Sequence, residues 1–220
     1  AMQDGLNQNF GWTEGVSRVY NTLAQDIAYK DPSRNCIFLD NHDQDRIYSV
    51  IGEDFDKFKI GINWLLTLRG IPQLYYGTEI LMKNFKDPTD AEVRRDFQGG
   101  WREDAANKFT EGGRTPQEQQ AWLYVSRLAN FRKVSPAITS GRLMQYLPEN
   151  GLYTYFRYHP GQTVMVISHT VKDNIPVKME RFTERTKGFT KMKNIQTGEV
   201  IPLADFTIQP KQSFVFELIR

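Results

Sequence analysis

The spacing of apolar residues changes at about residue 137. Upstream, apolar positions recur at helical intervals, interrupted by short continuous runs; downstream they alternate. Val16, Val19, Tyr20, Leu23 and Ile27 trace one helix face, with Thr13 its expected N-cap. Asp31-Pro32-Ser33 breaks that helix. Cys36-Ile37-Phe38-Leu39 follows as a continuous apolar run, the pattern of a strand covered on both faces. Phe55, Phe58, Ile62, Leu65, Leu66 and Arg69 mark a second helix, with Gly70 expected at its C′ position. Ile71-Pro72-Gln73-Leu74-Tyr75-Tyr76 reads as another buried strand, ending at Gly77-Thr78-Glu79. Strand, helix, strand predicts a βαβ unit with parallel strands and a right-handed crossover.

A polar, glycine-bearing stretch from Leu81 to Arg114 has no period; loops of that length inside compact domains are usually functional or disordered. Thr115, Pro116 and Glu118 then spell an N-cap, a first helical position and a capping box. Trp122, Val125, Leu128, Ala129 and Arg132 give that helix its face, the Trp and aliphatic members expected to be buried, and Ser135-Pro136 ends it. Beyond Ala137, short alternating or aromatic-rich segments cover Leu143–Leu147, Leu152–Tyr158, Thr163–Ser168, Ile175–Lys178, Thr190–Ile195, Phe206–Ile208 and Ser213–Leu218. Turn signals such as Glu149-Asn150-Gly151 and His159-Pro160-Gly161 separate them, which predicts an antiparallel β-sandwich. The expected organisation is therefore an α/β part, residues 1–136, followed by an all-β part, residues 137–220.

Composition narrows the function classes. Net charge is +2 over 220 residues with no basic block, which argues against nucleic acid as a partner. No apolar stretch is long enough to span a membrane, so no membrane partner is expected. Aromatic residues reach 13%, a surplus that suits a large core or a surface that stacks on flat ligand faces. Cys36, the single cysteine, cannot form an internal disulfide and lies in an apolar run, so a buried inert thiol is expected. Ala1-Met2-Gln3-Asp4-Gly5 lacks a basic region followed by an apolar run and does not read as a signal peptide.

The chemistry gathers where the apolar runs stop. In parallel α/β architectures ligands collect at the carboxyl ends of strands. One run ends in Asp40-Asn41-His42-Asp43-Gln44-Asp45-Arg46 and the other in Glu79. For Asp40 and Asp45 the plainer reading is a solvated or capping residue. A run of polar side chains directly after a buried strand, without a Gly or Pro turn, is harder to explain by packing alone.

These residues resemble a known family. Phe38-Leu39-Asp40-Asn41-His42-Asp43 is similar to the F-x-x-N-H-D motif that ends the seventh barrel strand of the α-amylase family, glycoside hydrolase family 13. Gly70-Ile71-Pro72-Gln73-Leu74-Tyr75-Tyr76-Gly77-Thr78-Glu79 resembles the G-x-P-x-x-Y-Y-G-x-E segment around the eighth strand, at matching order and spacing. Arg95-Asp96-Phe97-Gln98-Gly99-Gly100-Trp101 is similar to a loop of neopullulanases and cyclomaltodextrinases, with Gln98 in place of the usual proline and the arginine register ambiguous between Arg94 and Arg95. Ile208 to Leu218 resembles the last strands of the family's C-terminal sandwich.

The resemblance implies the last two strand–helix units of a (β/α)8 TIM barrel followed by the sandwich. It implies that Asp43 is the third catalytic carboxylate, which holds sugar hydroxyls and favours an oxocarbenium-like transition state. His42 would donate to the same sugar. Asn41, Arg46, Tyr76, Glu79 and Trp101 would line or support the substrate site, with packing or scaffold roles as the competing reading for Tyr76 and Glu79, and loop anchoring for Trp101. No R-x-D segment followed by His is present to supply the family's nucleophile, and Arg94-Arg95-Asp96 has no such His.

The expected function is thus the C-terminal part of a retaining α-glucan hydrolase of neopullulanase or cyclomaltodextrinase type, acting on α-1,4 bonds, with α-1,6 bonds as the further linkage to be tested. The chain alone is expected to be inactive. Expected partners are a maltooligosaccharide, the remainder of the barrel, and a second copy of the chain covering its open strand edges. A transglycosylase of amylosucrase or trehalose synthase type, a non-catalytic scaffold, and a sugar-binding module using Tyr153, Tyr155 and Tyr158 are the alternatives. No cofactor or metal is expected in this chain; the family's calcium sites lie in other parts. A periplasmic or secreted parent is a guess.

Overall fold

A computed structural model describes residues 1–220. Its first part carries helices α1 (Met2–Asn7), α2 (Val16–Ala24), α3 (Ile47–Val50), α4 (Phe55–Thr67), α5 (Pro116–Val134) and α6 (Pro136–Thr139). Strands β1 (Cys36–Phe38) and β2 (Ile71–Gln73) pair in parallel, Ile37 opposite Pro72, with α4 between them in sequence. This is the predicted βαβ arrangement, and the two strands form no closed barrel.

The second part has strands β3 (Arg142–Gln145), β4 (Leu152–His159), β5 (Gln162–His169), β6 (Ile175–Val177), β7 (Lys191–Asn194), β8 (Val200–Pro202), β9 (Phe206–Ile208) and β10 (Ser213–Ile219), with a short helix α7 (Thr183–Thr186). Six strands form an antiparallel sheet in the order β3-β4-β5-β10-β7-β8, and β6 pairs with β9. Strand β8 is the one strand of this part that the spacing of apolar residues does not predict. Its Val200-Ile201-Pro202 is too short to show a period, and its proline suits the sheet edge it occupies.

The central strands are buried on both faces, each against a different core. Tyr153, Tyr155, Val164, Val166 and Val215 join one apolar cluster with Trp64, Leu65 and Leu128 of the helices. Their alternate neighbours, Leu152, Phe156, Met165, Ile167 and Phe216, join a second with Val177 and Ile208 of the β6–β9 pair. Period-2 alternation therefore sends every other residue to helices or to the second sheet. Polar contacts fix the seam. Trp64 Nε1 donates to Ser168 Oγ at 3.0 Å and Asn63 Nδ2 to Ser213 Oγ at 2.9 Å. Arg157 is buried without a carboxylate partner and donates to the carbonyls of Thr67 (3.1 Å), Ile138 (2.7 Å) and Gly141 (2.9 Å). Burial lowers its guanidinium to about 10.

Several local expectations change. Thr13 does not cap α2: Gly15 at φ +60° precedes it, and Thr13 bonds the Glu14 carboxylate instead. Ile27 is off the helix face and almost fully exposed, because α2 gives way to a 3-10 turn at Gln25. Helix α4 stops at Thr67, with Leu68 as its C-cap, rather than at Gly70. Gly70 serves the approach of β2 to β1; a Cβ there would sit 2.7 Å from the Asn35 carbonyl oxygen. On α5 the capping box forms as predicted, but Ala129 is exposed and Trp122 only half-buried. Neither barrel strand is buried: Cys36, Ile71 and Leu74 are exposed, so the thiol is not the shielded group expected. A barrel strand's apolar run needs further strands and helices to cover it, and two strands do not provide them.

Candidate active site

Chain reversal at the end of β1 creates the site. Asp40 is buried, and its carboxylate accepts the Ile47 N–H at 2.7 Å and the Thr78 hydroxyl at 3.3 Å. It thereby caps α3 and joins the ends of both strands. The capping reading holds, but the residue is not solvated. Burial pushes its carboxyl up, opposed by the Ile47 N–H, Arg46 and Thr78. With Asp40 anchored, the next three residues turn outward: Asn41 Oδ1 accepts the Asp43 N–H at 2.9 Å. This Asx-type bond holds the segment in a turn.

His42 and Asp43 project into solvent, their side chains 60% and 61% exposed, with Nε2 to Oδ2 3.2 Å apart. The segment is held from the loop that follows β2. Arg94 Nη2 donates to Asp43 Oδ1 at 2.8 Å, and its Nε donates to the His42 carbonyl at 2.9 Å. Lys86 Nζ donates to the Asp43 carbonyl at 2.9 Å, and its backbone N–H to Asp45 Oδ1 at 2.7 Å. Asp90 orients Arg94 at 3.0 Å. Each Asp43 oxygen has one protein partner, which leaves lone pairs on both for further hydroxyl donors.

Of the two roles open to Arg46, lining or supporting the site, its surroundings fit support. It is 1% exposed, so it offers a sugar no surface. Its Nε donates to the Val93 carbonyl at 2.9 Å, its Nη1 bonds the Tyr76 carbonyl, and its guanidinium lies 4.0 Å from the Tyr75 ring centroid and 4.7 Å from that of Tyr76. The residue is a strut beneath the site that ties the β2 end to the loop. Tyr76 stands half-exposed, its hydroxyl donating to the Arg95 carbonyl at 2.8 Å. Glu79 lies in the turn after β2 with Oε2 buried and unpartnered. Trp101 is 62% exposed on a turn fixed by Asp104, which accepts the Gly99 N–H at 2.6 Å and the Trp101 N–H at 3.0 Å. Those two N–H groups hold the Asp104 carboxyl below its ordinary range. Asn41, His42, Asp43 and Tyr76 thus share the C-terminal edge of β1 and β2, with Arg46 below them.

Lys86 and Asp90 were not singled out from the sequence, and Arg94 only as one of two registers for the loop arginine. The only available signal was the density of opposite charges in Lys86–Arg95, since charge alone does not reveal which carboxylate each cation reaches. Of the two arginines, Arg94 pairs with Asp43 and Arg95 with Glu92. Of Tyr153, Tyr155 and Tyr158, the aromatics of the sugar-binding-module reading, the first two are fully buried and Tyr158 is half-buried. No group of three or more His, Cys, Asp or Glu side chains is arranged to hold a metal.

Comparison with known proteins agrees with this architecture. The family model described as "Alpha amylase, catalytic domain" matches residues 9–141, and "Cyclo-malto-dextrinase C-terminal domain" matches residues 143–217. A cyclomaltodextrin glucanotransferase of Geobacillus stearothermophilus is 30% identical over 67% of this chain and 18% of its own length. An α-amylase of Niallia circulans is 30% identical over 70% of this chain and 25% of its own. The chain thus spans a quarter or less of these curated relatives. Among solved structures, the α-amylase of Geobacillus thermoleovorans in complex with acarbose superposes with a TM-score of 0.73 at 17% identity, over 100% of this chain and 46% of that one. AmyP in complex with maltose gives 0.75 at 18% identity, over 100% and 48%. These likenesses support the fold: part of the catalytic domain followed by an antiparallel C-terminal sandwich. Because the catalytic-domain model covers more than half of its residues, the chain belongs to the α-amylase family.

Proposed function

We propose that residues 1–136 contribute the sugar-holding edge of an α-glucan-active site and that residues 137–220 are the sandwich that buttresses it. The observation that carries this reading is the outward presentation of His42 and Asp43, fixed at their backbone and side chains by Arg94 and Lys86. Asp43 accepts hydroxyls of the sugar at the cleavage point, and His42 donates to the same ring. As positive charge develops on that ring in an oxocarbenium-like transition state, the carboxylate's attraction strengthens, which is the differential binding catalysis requires. Tyr76, Trp101 and Asn41 border the bound chain, while Arg46 and Glu79 support from beneath.

Retention of configuration requires a nucleophile and a general acid about 5–5.5 Å apart. The chain's own carboxylates near the site have other tasks: Asp40 is a buried cap, Asp45 binds backbone and Asp90 orients Arg94. We therefore assign bond cleavage to a nucleophile and acid on the remainder of a barrel, and propose that this chain alone turns over no substrate. The complete enzyme is a hydrolase of neopullulanase or cyclomaltodextrinase type acting on α-1,4 and α-1,6 bonds, a reading supported by the C-terminal domain match. Transglycosylation is the second reading, favoured by the glucanotransferases among its relatives. The test is a maltotriose titration followed by NMR. Resonances of Asn41, His42 and Asp43 shift together in the wild-type chain, and Asp43→Ala removes the response. Shifts elsewhere only, or an undiminished response in Asp43→Ala, would refute the assignment.

A further inference from the structure

We infer that a second site, on the sandwich, binds a tetrahedral oxyanion of the phosphate type. A cavity of about 540 Å³ opens between the start of β3, the β4–β5 turn and α7. Arg142, Arg185, Lys187 and Arg220 line it against one carboxylate side chain, Glu184. Setting a main-chain carboxylate at Arg220 against them as well would still leave two cations in excess. None of its lining residues belongs to the strand-end site, so Asp43 and its partners do not account for it.

Two of the cations are held there by aromatic rings. The Arg185 guanidinium lies 4.1 Å from the Tyr158 ring centroid, which fixes its plane, and its Nε is buried without a partner. Glu184 is its only ion-pair partner, at a long 3.6 Å. Arg220 stands 6.0 Å from the Phe189 centroid at the same cavity. Converging like charges raise the local potential, and an entering anion relieves their repulsion. Direction selects the anion. A carboxylate is satisfied by one guanidinium in one plane, whereas these donors come from β3, α7 with the residue after it, and the end of β10. A phosphate presents oxygens toward all of them. The volume lies within the range of small-molecule sites, about 300–1,000 Å³, so a sugar bearing the phosphate fits as well as the free ion.

Calorimetric titration at low salt with inorganic phosphate, glucose 6-phosphate and glucose tests this. Both phosphates bind saturably and glucose does not. Tighter binding of glucose 6-phosphate identifies the esterified sugar as the ligand, and equal affinities identify the free anion; either outcome upholds the oxyanion site. Because Arg142 and Lys187 are exposed, the double variant Arg142→Ala/Lys187→Ala retains its fold by circular dichroism and weakens phosphate binding about tenfold or more. Glu184→Gln, which removes the opposing charge, binds at least as well as wild type. Absence of phosphate binding at millimolar concentration would overturn the proposal. So would a double variant that binds as tightly as wild type.

Discussion

Trp64→Ala measures the seam between the barrel unit and the sandwich. Trp64 is fully buried on α4, its ring edge-on to Tyr153 at 6.5 Å, and its Nε1–H reaches Ser168 on β5. Truncating a buried Trp costs about 3–5 kcal/mol through lost transfer energy and the cavity left behind. The lost hydrogen bond adds about 1 kcal/mol at most, because Ser168 Oγ keeps the Ser213 hydroxyl at 2.8 Å. The expected loss is on the order of 4–5 kcal/mol, a large fraction of a marginal total. The assay is urea unfolding followed by far-UV circular dichroism at 220 nm, with fluorescence run in parallel on the wild type. Since the two parts share one core, the wild-type transitions by both probes coincide, and the variant's midpoint falls with little change in slope. A loss below about 1.5 kcal/mol, or two separate wild-type transitions, would refute the shared-core argument.

Acid should destabilise the chain through its helix caps. Burial raises the Asp54 carboxyl, but Lys211 and the N–H groups of Lys57 and Asp56 outweigh it and leave it below its ordinary 3.8. For Glu118, burial is outweighed by Lys108 and the Thr115 N–H, which leave it below 4.5. Their stabilisation is present above those ordinary values and is lost as pH falls through the lower folded ones. Thermal melts between neutral pH and about pH 3 show the decline, and the variant Asp54→Asn/Glu118→Gln flattens it; an unchanged slope would contradict the assignment. Arg94→Ala costs less than about 1 kcal/mol, since its pair with Asp43 is exposed, yet it broadens the backbone resonances of His42 and Asp43; unchanged resonances would show that the loop does not position them.

Elements decided by local chemistry were the ones legible in the sequence. The Thr115 capping box and the extended, turn-bounded segments of β4 and β5 have causes within a few residues of themselves. The polar segment carrying His42 and Asp43 was visible because it directly follows an apolar run, but not the turn that the Asn41 side chain makes within it. What stayed hidden depended on distant partners. Arg46 sits within the polar motif, and only the fold reveals that Tyr75, Tyr76 and Val93 enclose it. Arg94 reaches 51 residues back to Asp43, a pairing that no spacing rule encodes. The apolar runs of β1 and β2 promised burial, but burial of a barrel strand depends on neighbours beyond the two that pair here. Asp40 was read as a solvated or capping residue, and its depth stayed hidden because it comes from Thr78 and α3 closing over it.

On the proposed reading, these strand ends hold a sugar without breaking its glycosidic bond. The direct measurement is product analysis after incubating the purified chain, verified as folded by circular dichroism, with maltoheptaose, pullulan and β-cyclodextrin. The expected result is no products above the buffer control with any substrate. Measurable turnover that disappears in Asp43→Ala would contradict it, because this chain would then contain its own nucleophile and acid.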